Sequence, residues 1–337
     1  MKFGPVPVDE AEGAILAHSV DLGSGRLRKG RWVSAADVSA LRAAGLTCVT
    51  VARLDESDVH EDAAADRLAV AILSGGGSGL RASKAATGRV NLYAEHSGIV
   101  EVSTDAIHAL NAIHPMITLA TVPEWQRMGS GGMVATVKMI SYAVPEAELA
   151  NAISLAVGVL RLRAPTVARA TLIQTVVPGD DGETGHEAVA ARLAALGIPM
   201  TKAVVPHREG DVAAALRAAE ADILLILTGS ATSDLHDTAP EALRQAGGAV
   251  IRYGMPVDPG NLLFLGDLGG TPVIGLPGCA RSPALNGADW VLERVACGVP
   301  VTDADIAAMG VGGLLKEIPT RPAPRERRPV RQPPETT

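Results

Sequence analysis

The stretch ADILLILTGSATSDLHDTAPEA, residues 221–242, shows how the C-terminal half of the chain folds. Its apolar run Ile223–Leu227 is typical of a buried strand, and the small residues after it predict a loop. Farther along, Asp237 or Thr238 is suited to cap a helix, with Pro240 in the first helical turn. The stretch therefore predicts a strand, a loop and a helix in succession.

The same alternation continues on both sides of this stretch. Strands that alternate with helical patterns predict a parallel sheet with right-handed crossovers. We therefore predict an α/β fold with a doubly wound, mostly parallel sheet. Ligands in such folds bind beyond the carboxyl ends of the strands. The predicted strands lie near residues 168–177, 200–205, 221–229, 249–252 and 272–275.

The N-terminal half has a different pattern, in which short strands are mixed with helices. Val38, Leu41 and Ala44 recur at helical spacing before Gly45, which predicts one short helix. Further helices are predicted at 61–73, 104–112 and 145–157. The predicted domains are a mixed α+β domain at 1–165, the α/β domain at 166–300, an extension at 301–317 and a disordered Pro/Arg-rich tail at 318–337.

The composition limits the classes of function. Hydrophobic residues make up 47% of the chain and are mostly aliphatic, and no apolar run is long enough for a membrane span or a signal peptide. Three widely spaced cysteines form no metal-binding pair and fit a reducing compartment. A net charge of −7 argues against nucleic acid as a partner. We therefore expect a cytoplasmic protein that binds neither membranes nor nucleic acid.

The loop after Leu227 is the first candidate site. Small residues allow a ligand to approach the backbone closely, while hydroxyls and main-chain N–H groups near a helix start can bind an oxyanion. The alternative is an ordinary turn between a strand and a helix. This loop runs from Thr228 to Glu241.

Two later loops have the same kind of composition. One combines prolines, which fix φ, with Gly, Asn and Asp, and the other ends an apolar strand and supplies an arginine suited to phosphate. As alternatives, Arg281 is a surface charge and Cys279 a small buried residue. The candidate residues are Pro256, Asp258, Pro259, Gly260, Asn261, Pro277, Gly278, Cys279, Arg281 and Ser282.

These segments resemble those of a known superfamily. TGSATSDLHDTAPEA, at 228–242, resembles the TGGTG and RD-T-PEA signature of molybdopterin adenylyltransferases. GMPVDPGN, at 254–261, and PVIGLPGCARSP, at 272–283, resemble segments of molybdopterin molybdotransferases. With ATGRVNL at 86–92 and MVATVK at 133–138, nearly the whole chain resembles the molybdopterin-binding region that precedes a cytidylyltransferase domain in some bacterial molybdenum-cofactor proteins.

The resemblance implies a molybdenum-cofactor biosynthesis domain with a pterin and phosphate site. The candidate residues that line this site, in the loop after Leu227, are Thr228, Gly229, Ser230 and Thr232. The resemblance also implies that Asp237 stands at the position of a functional aspartate of the adenylyltransferases, and that the two later loops close the same pocket. The chain departs from the family at Ser230, which replaces a glycine, and at His207, where an acidic residue is expected. Thr175–Pro178 also replaces a TGDE-like motif.

These departures bear on catalysis, because Mg²⁺ binds through oxygen ligands. Asp237 and Asp258 are the main carboxylates left in the family-like loops. Three further acidic residues lie nearby without matching the family positions: Glu183, Glu209 and Asp211. His207 is a candidate acid, base or phosphate partner, with a polar surface residue as the alternative.

Four polar residues in the N-terminal half also fall in or near family-like segments: Lys84, Arg89, Asn91 and Lys138. Lys138 lies in an otherwise apolar strand, so its ammonium must reach a partner or solvent. One interpretation is a role in a pocket between the domains. The alternative is a lysine on an edge strand that discourages aggregation.

The leading hypothesis from the sequence is a module that binds molybdopterin or molybdenum cofactor and presents it during cofactor biosynthesis or maturation. Its expected partners are a separate cytidylyltransferase or a molybdoenzyme maturation protein, and a homo-oligomer is the general expectation. The alternative is a molybdotransferase-like enzyme that inserts molybdate into adenylylated molybdopterin with Mg²⁺.

Overall fold

The chain divides into two compact units, Met1–Ala164 and a second unit that begins at Pro165. The computed structural model describes residues 1–23, 25–75 and 78–315. The predicted disordered tail at 318–337 lies outside the described residues. Among the helices that are described, none combines the length and hydrophobicity that a membrane span requires.

The first unit mixes helices with short strands, as the sequence pattern predicts. Its helices are α1 (Ala35–Ala43), α2 (Glu61–Leu73), α3 (Thr104–Ile113) and α4 (Glu146–Ala156). Its strands are β1 (Lys2–Pro7), β2 (Ile15–Leu16), β3 (Val20–Asp21), β4 (Arg26–Leu27), β5 (Cys48–Arg53), β6 (Asp58–His60), β7 (Leu80–Ala82), β8 (Arg89–Ala94), β9 (Gly98–Val102), β10 (Ile117–Thr121), β11 (Arg127–Met128), β12 (Met133–Met139), β13 (Ala143–Pro145) and β14 (Leu160–Arg163).

These strands form several small antiparallel sheets. The orders are β1-β5-β2, β10-β12-β8-β7, β11-β9-β14, β13-β6 and β3-β4. Strands β8 and β12 alternate between apolar residues, which pack against α2, and more exposed residues on the other face. Val90, Leu92, Val137 and Met139 on the apolar side are fully buried.

Lys138 lies on the less apolar face of β12, which is a central strand between β10 and β8. The interpretation of Lys138 as an edge-strand lysine is therefore wrong. A lysine protects an edge only where backbone groups lack a neighbouring strand, and both sides of β12 are paired.

The second unit contains one six-stranded sheet and the helices that flank it. Its elements are β15 (Ala170–Val176), α5 (His186–Ala194), β16 (Met200–Pro206), α6 (Glu209–Ala218), β17 (Ile223–Leu227), α7 (Thr238–Gln245), β18 (Ala249–Tyr253), β19 (Phe264–Leu268), β20 (Thr271–Leu276), α8 (Gly287–Ala296) and α9 (Asp303–Ala308).

The α/β class predicted for this part of the chain is confirmed. The strand order is β16-β15-β17-β20-β19-β18, in which β16, β15, β17 and β20 are parallel. Strand β19 was not predicted, and it pairs antiparallel with both β20 and β18. The sheet is therefore mixed, because a two-residue turn at Gly269–Gly270 reverses the chain directly into β20.

The register places five strand ends at one edge of this sheet. Leu227 pairs with Leu276, and the neighbouring Gly275 pairs with Phe264 at the start of β19. Phe264 in turn pairs with Tyr253, the last residue of β18. The loops after β15, β16, β17, β18 and β20 therefore all begin at this edge, which we call the carboxyl edge.

Helices α6 and α7 cover one face of the sheet. Val212 and Leu216 of α6 and Leu243 of α7 pack with Leu224 and Phe264 of the strands in one buried cluster. The other helices of the sheet, α5 and α8, contact β15 and β20. The sheet is thus held by aliphatic packing, as the scarcity of aromatic residues predicts.

Gly275 provides a test of this packing. A Cβ at this position would lie 1.9 Å from Cε1 of Phe264, so Gly275→Ala should lower the free energy of unfolding by at least about 1–3 kcal/mol. The matched control is Gly210→Ala in α6, where a Cβ meets nothing within 4 Å. This control should leave stability unchanged or raise it by about 0.5–1 kcal/mol. Urea denaturation of the full chain measures the stability of both variants. Equal stabilities of Gly275→Ala and Gly210→Ala would contradict the close packing of Gly275 against Phe264.

Candidate functional site

The carboxyl edge is organised around Thr175, which is fully buried near the end of β15. The backbone N–H of Gly229 donates a hydrogen bond of 2.8 Å to Thr175 Oγ1. The same hydroxyl lies 2.8 Å from Nδ1 of His207, whose backbone N–H donates to the carbonyl of Val176. One side chain thus connects the loops that follow β16 and β17 to the end of β15.

Gly229 is a glycine because of this close approach. A Cβ there would lie 2.8 Å from the carbonyl oxygen of Thr175 and 3.2 Å from the backbone nitrogen of Val177. A bulky residue at 229 would therefore collide with β15 before it could exclude a ligand.

The rest of the loop after β17 combines a buried base with an exposed tip. Thr228 and Thr232 are buried, with their hydroxyl oxygens 3.4 Å apart, and Tyr253 donates a hydrogen bond of 3.1 Å to the carbonyl of Thr232. Ser230 and Ala231 are exposed. Within the described part of the chain, the backbone N–H groups of residues 230–232 donate to no protein acceptor.

Asp237 is the N-cap of α7, as the alternative interpretation of the sequence proposed. Its carboxylate accepts hydrogen bonds from the backbone N–H groups of Thr238 at 2.7 Å and Ser233 at 2.9 Å. Burial opposes the charged form, but these hydrogen bonds and the nearby His207 outweigh it, so the pKa of Asp237 is lowered. Each carboxylate oxygen is therefore engaged by the protein itself.

Arg281 joins the loops after β15, β17 and β20. It ends the short 3₁₀ helix Gly278–Arg281, and its guanidinium donates to the carbonyl oxygens of Thr184 at 2.7 Å and Thr228 at 2.9 Å. Its side chain covers Gly185, where a Cβ would lie 2.6 Å from Arg281 Cγ. A guanidinium has five N–H donors, so two such bonds leave donors for a ligand.

Arg192 is an organising residue that the sequence did not reveal. Its Nε donates to the Asp289 carboxylate, and its two terminal nitrogens donate to four carbonyl oxygens. All five donors are thereby used. The carbonyls belong to Ala188, Ala280, Ser282 and Ala284. Arg192 thus fixes the path of the loop after β20.

The remaining candidates of that loop lie in or beside the 3₁₀ helix. Pro277 precedes it, and Cys279 within it is half-buried. The backbone N–H of Ser282 donates to the carbonyl of Cys279, and Ser282 Oγ accepts from the backbone N–H of Ala284. Gly278 begins the helix, and a Cβ there would meet nothing within 4 Å.

The loop at 254–261 also starts at the carboxyl edge and is closed on itself. The backbone N–H of Met255 donates to the carbonyl of Asn261, and the backbone of Asp258 pairs with Gly313 and Leu315.

The same loop also contacts the start of α8. The carbonyl of Pro259 accepts a hydrogen bond from the N–H of Gly287, the first residue of α8. A Cβ on Gly260 would lie 2.7 Å from that same nitrogen. Pro256 is exposed.

One buried polar atom near this edge has no hydrogen-bond partner among the residues that the structure describes. Gln174 in β15 is fully buried, and its Nε2 donates to the carbonyl of Thr184, the same oxygen that Arg281 contacts. Among the described residues, no group donates to Gln174 Oε1. A buried acceptor without a donor is costly, so it points to a water or a ligand N–H.

The acidic residues that do not match the family positions have other contacts. Glu183 lies 3.5 Å from Lys202, and Glu209 accepts a hydrogen bond from Gln245. Asp211 lies in the first turn of α6. In the described part of the chain, no three His, Cys, Asp or Glu side chains come together in a way that could hold a metal ion.

The predicted polar residues of the N-terminal half all lie in the first unit. Asn91 accepts a hydrogen bond from Thr136 and donates to Tyr93, and Arg89 pairs with Lys138 across the strands. Lys84 is exposed in the connection between β7 and β8. Their sheet belongs to one compact unit, whereas the carboxyl edge belongs to the other.

One family model and several solved structures match this chain. A family model described as Domain of unknown function (DUF8806) matches residues 5–53. No curated protein matches this chain. The chain is similar to the molybdopterin biosynthesis MoeA protein from Pyrococcus horikosii, with 14% identity, a TM-score of 0.29, and coverage of 90% of this chain and 75% of that one.

A molybdenum cofactor biosynthesis protein from Pyrococcus furiosus is similar at 14% identity with a TM-score of 0.25. This match covers 91% of this chain and 65% of the other, so the chain spans slightly less than two thirds of that protein. Both TM-scores are below 0.5.

The cap formed by Asp237 gives a pH-dependent prediction. Asp237→Ala should lower the free energy of unfolding by about 1 kcal/mol at neutral pH, because two N–H groups lose their acceptor. The pKa of Asp237 in the folded state is below its ordinary value of 3.8. The stabilisation by the ionised carboxylate is therefore present above that value and lost as the pH falls through the folded pKa.

The measurement is urea denaturation of the wild type and the variant between about pH 6 and pH 2. The difference in the free energy of unfolding between the wild type and Asp237→Ala should become smaller toward pH 2. Asp237→Asn is the matched control, since an amide oxygen still caps the helix but does not titrate in this range. A difference that is constant or widens as the pH falls would contradict the assignment.

Proposed function

We propose that the second unit binds molybdopterin or molybdenum cofactor at its carboxyl edge and presents it during cofactor biosynthesis or maturation. The observation that carries the proposal is the Arg281 guanidinium, which lies between the loops after β15 and β17 in the segment that resembles the molybdotransferases. The finer fold assignment, a doubly wound molybdenum-cofactor biosynthesis domain, is part of the same proposal.

The residues at this edge fit the chemistry of such a ligand. A terminal phosphate needs several N–H donors, and the backbone N–H groups of residues 230–232 and the remaining donors of Arg281 supply them. A pterin ring carries N–H groups that need acceptors, and Gln174 Oε1 is an acceptor without a donor. Donors for the phosphate therefore lie in the loops of the carboxyl edge, and an acceptor for the ring lies in the adjoining strand β15.

The contacts of Asp237 favour a binding function over a catalytic one. In a molybdotransferase, a carboxylate would help to hold Mg²⁺, but the oxygens of Asp237 accept hydrogen bonds from Ser233 and Thr238. We therefore propose binding and presentation as the function. A cytidylyltransferase or a molybdoenzyme maturation protein acting in trans is the partner class we propose with it.

The first test is ligand binding by Arg281 variants. Arg281→Ala should weaken the binding of an oxidised pterin phosphate by about ten- to a hundredfold, because a charge-assisted contact is lost. Arg281→Lys should have an intermediate effect, since it keeps the charge but not the planar fork. Arg217→Ala, at the C-terminal end of α6, is the matched control and should leave binding unchanged.

Isothermal titration calorimetry with the phosphorylated pterin and its dephosphorylated form measures these effects. Loss of the arginine should weaken only the phosphorylated form. An equal loss for both forms would show that Arg281 shapes the loops without contacting phosphate. A full-length protein that neither binds nor co-purifies with any pterin would overturn the proposed function.

The second test concerns turnover. The purified chain should release no AMP from adenylylated molybdopterin when molybdate and Mg²⁺ are added, and Asp237→Asn should leave pterin binding nearly unchanged or slightly stronger. Mg²⁺-dependent release of AMP that Asp237→Asn abolishes would replace the presentation role with the molybdotransferase-like activity.

A further inference from the structure

A cavity of about 460 Å³ lies within the first unit, and none of its residues belongs to the loops of the carboxyl edge. Segments that are far apart in sequence form its wall: the loop before α1, the start of α2, the turn between β7 and β8, and the end of β12 with the residues after it. The polar lining consists of Lys29, Glu61, Thr87, Lys138, Ser141 and Tyr142.

Lys138 provides a fixed positive charge in this cavity. It extends from the central strand β12, and its Nζ donates to the carbonyl oxygen of Thr87 at 2.5 Å. The same Nζ lies 3.7 Å from Oε2 of Glu61, whose side chain is only 12% exposed. An ammonium has three donors, so these contacts leave capacity for a ligand.

The contact between Thr87 and Lys138 depends on a strained turn. Thr87 has a φ of 51° and Gly88 a φ of 68°. Positive φ values are common for glycine but rare for a β-branched residue such as Thr87. The Gly88 N–H donates to Asp62 at 2.6 Å, and a Cβ on Gly88 would lie 2.5 Å from Glu61 Oε2. The turn is therefore held against the charged pair at a conformational cost, as occurs at binding sites.

Among the side chains that line the cavity, the positive charges outnumber the negative ones. Asp62 lies beside the lining and accepts the Gly88 N–H. Lys29 is exposed and forms no ion pair with any residue that the structure describes. Glu61 is the single carboxylate of the lining, against the ammonium groups of Lys29 and Lys138. Burial raises the pKa of Glu61, although Lys138 opposes the shift, and burial followed by Glu61 raises the pKa of Tyr142.

A purely structural role explains part of this arrangement. The ion pair of Lys138 and Glu61 fixes the turn to the start of α2, and Tyr142 donates to the carbonyl of Ala17. Neither contact accounts for the open volume or for Lys29, which adds a second cation to the wall. The excess of positive charge in a concave site favours an anion.

We propose that this cavity is a second ligand site, which binds a small organic anion through its phosphate or carboxylate group. Lys29 and Lys138 contact the anionic group, and Glu61 accepts a hydrogen bond from a hydroxyl or amine of the same molecule. The rigid turn at Thr87 holds Lys138 in place before the ligand arrives, which reduces the entropy lost on binding.

The test uses pyrophosphate and, separately, citrate as probes in calorimetric titrations of the full chain. All proteins carry Arg281→Ala, so that a phosphate contact at the carboxyl edge does not contribute. Lys138→Met should weaken the binding of pyrophosphate by about tenfold or more and Lys29→Met by at least about threefold. Glu61→Gln should strengthen it by about two- to fivefold, because it removes a negative charge from the wall.

The matched control is Lys2→Met, which removes an exposed lysine of β1 outside the cavity and should leave affinity unchanged. Lys138→Met could also disturb the turn, so the decisive variant is Lys29→Met, which breaks no ion pair. If a folded Lys29→Met protein binds pyrophosphate as tightly as the Arg281→Ala parent protein, the proposal is overturned. Absence of binding for both probes, or weakening by Lys2→Met to the same extent, would overturn it as well.

Discussion

The hydroxyl of Thr175 has no access to water, so its hydrogen bonds must come from the protein. It accepts the N–H of Gly229 and contacts the ring of His207, and these two partners lie on different loops. Because a buried hydroxyl is costly when unpaired, neither loop can move away without a loss of stability. The shape of the carboxyl edge therefore depends on satisfying one side chain at the end of β15.

The elements of the second unit could be predicted from the sequence because their signals are local. The apolar run Ile223–Leu227 indicates a strand, and the capping residue Asp237 indicates the start of a helix. Each signal lies within a few residues of the chain. Strand β19 was missed since FLGDL, at 264–268, is short and contains a glycine. Its antiparallel direction follows from a tight turn at Gly269–Gly270, whereas the pattern predicted further crossovers.

The contacts that shape the site were harder to predict. Arg192 lies in the last turn of α5 and Asp289 is 97 positions away, and nothing in the spacing of the two residues links them. Thr175 counted only as a departure from a family motif, although its hydroxyl connects the loops. In the first unit, Lys138 was predicted to need a partner, but the strained turn that supplies the Thr87 carbonyl is a tertiary feature.

Arg192 contacts the loop after β20 through main-chain oxygens alone. The carbonyls of Ala280, Ser282 and Ala284 accept its hydrogen bonds, and every residue type has a carbonyl in that place. The course of this loop is therefore encoded in part in a helix outside it, through contacts that do not depend on which side chains the loop displays. Such an arrangement lets ligand preference diverge by substitution within the loop, while the backbone that presents the new side chains stays the same.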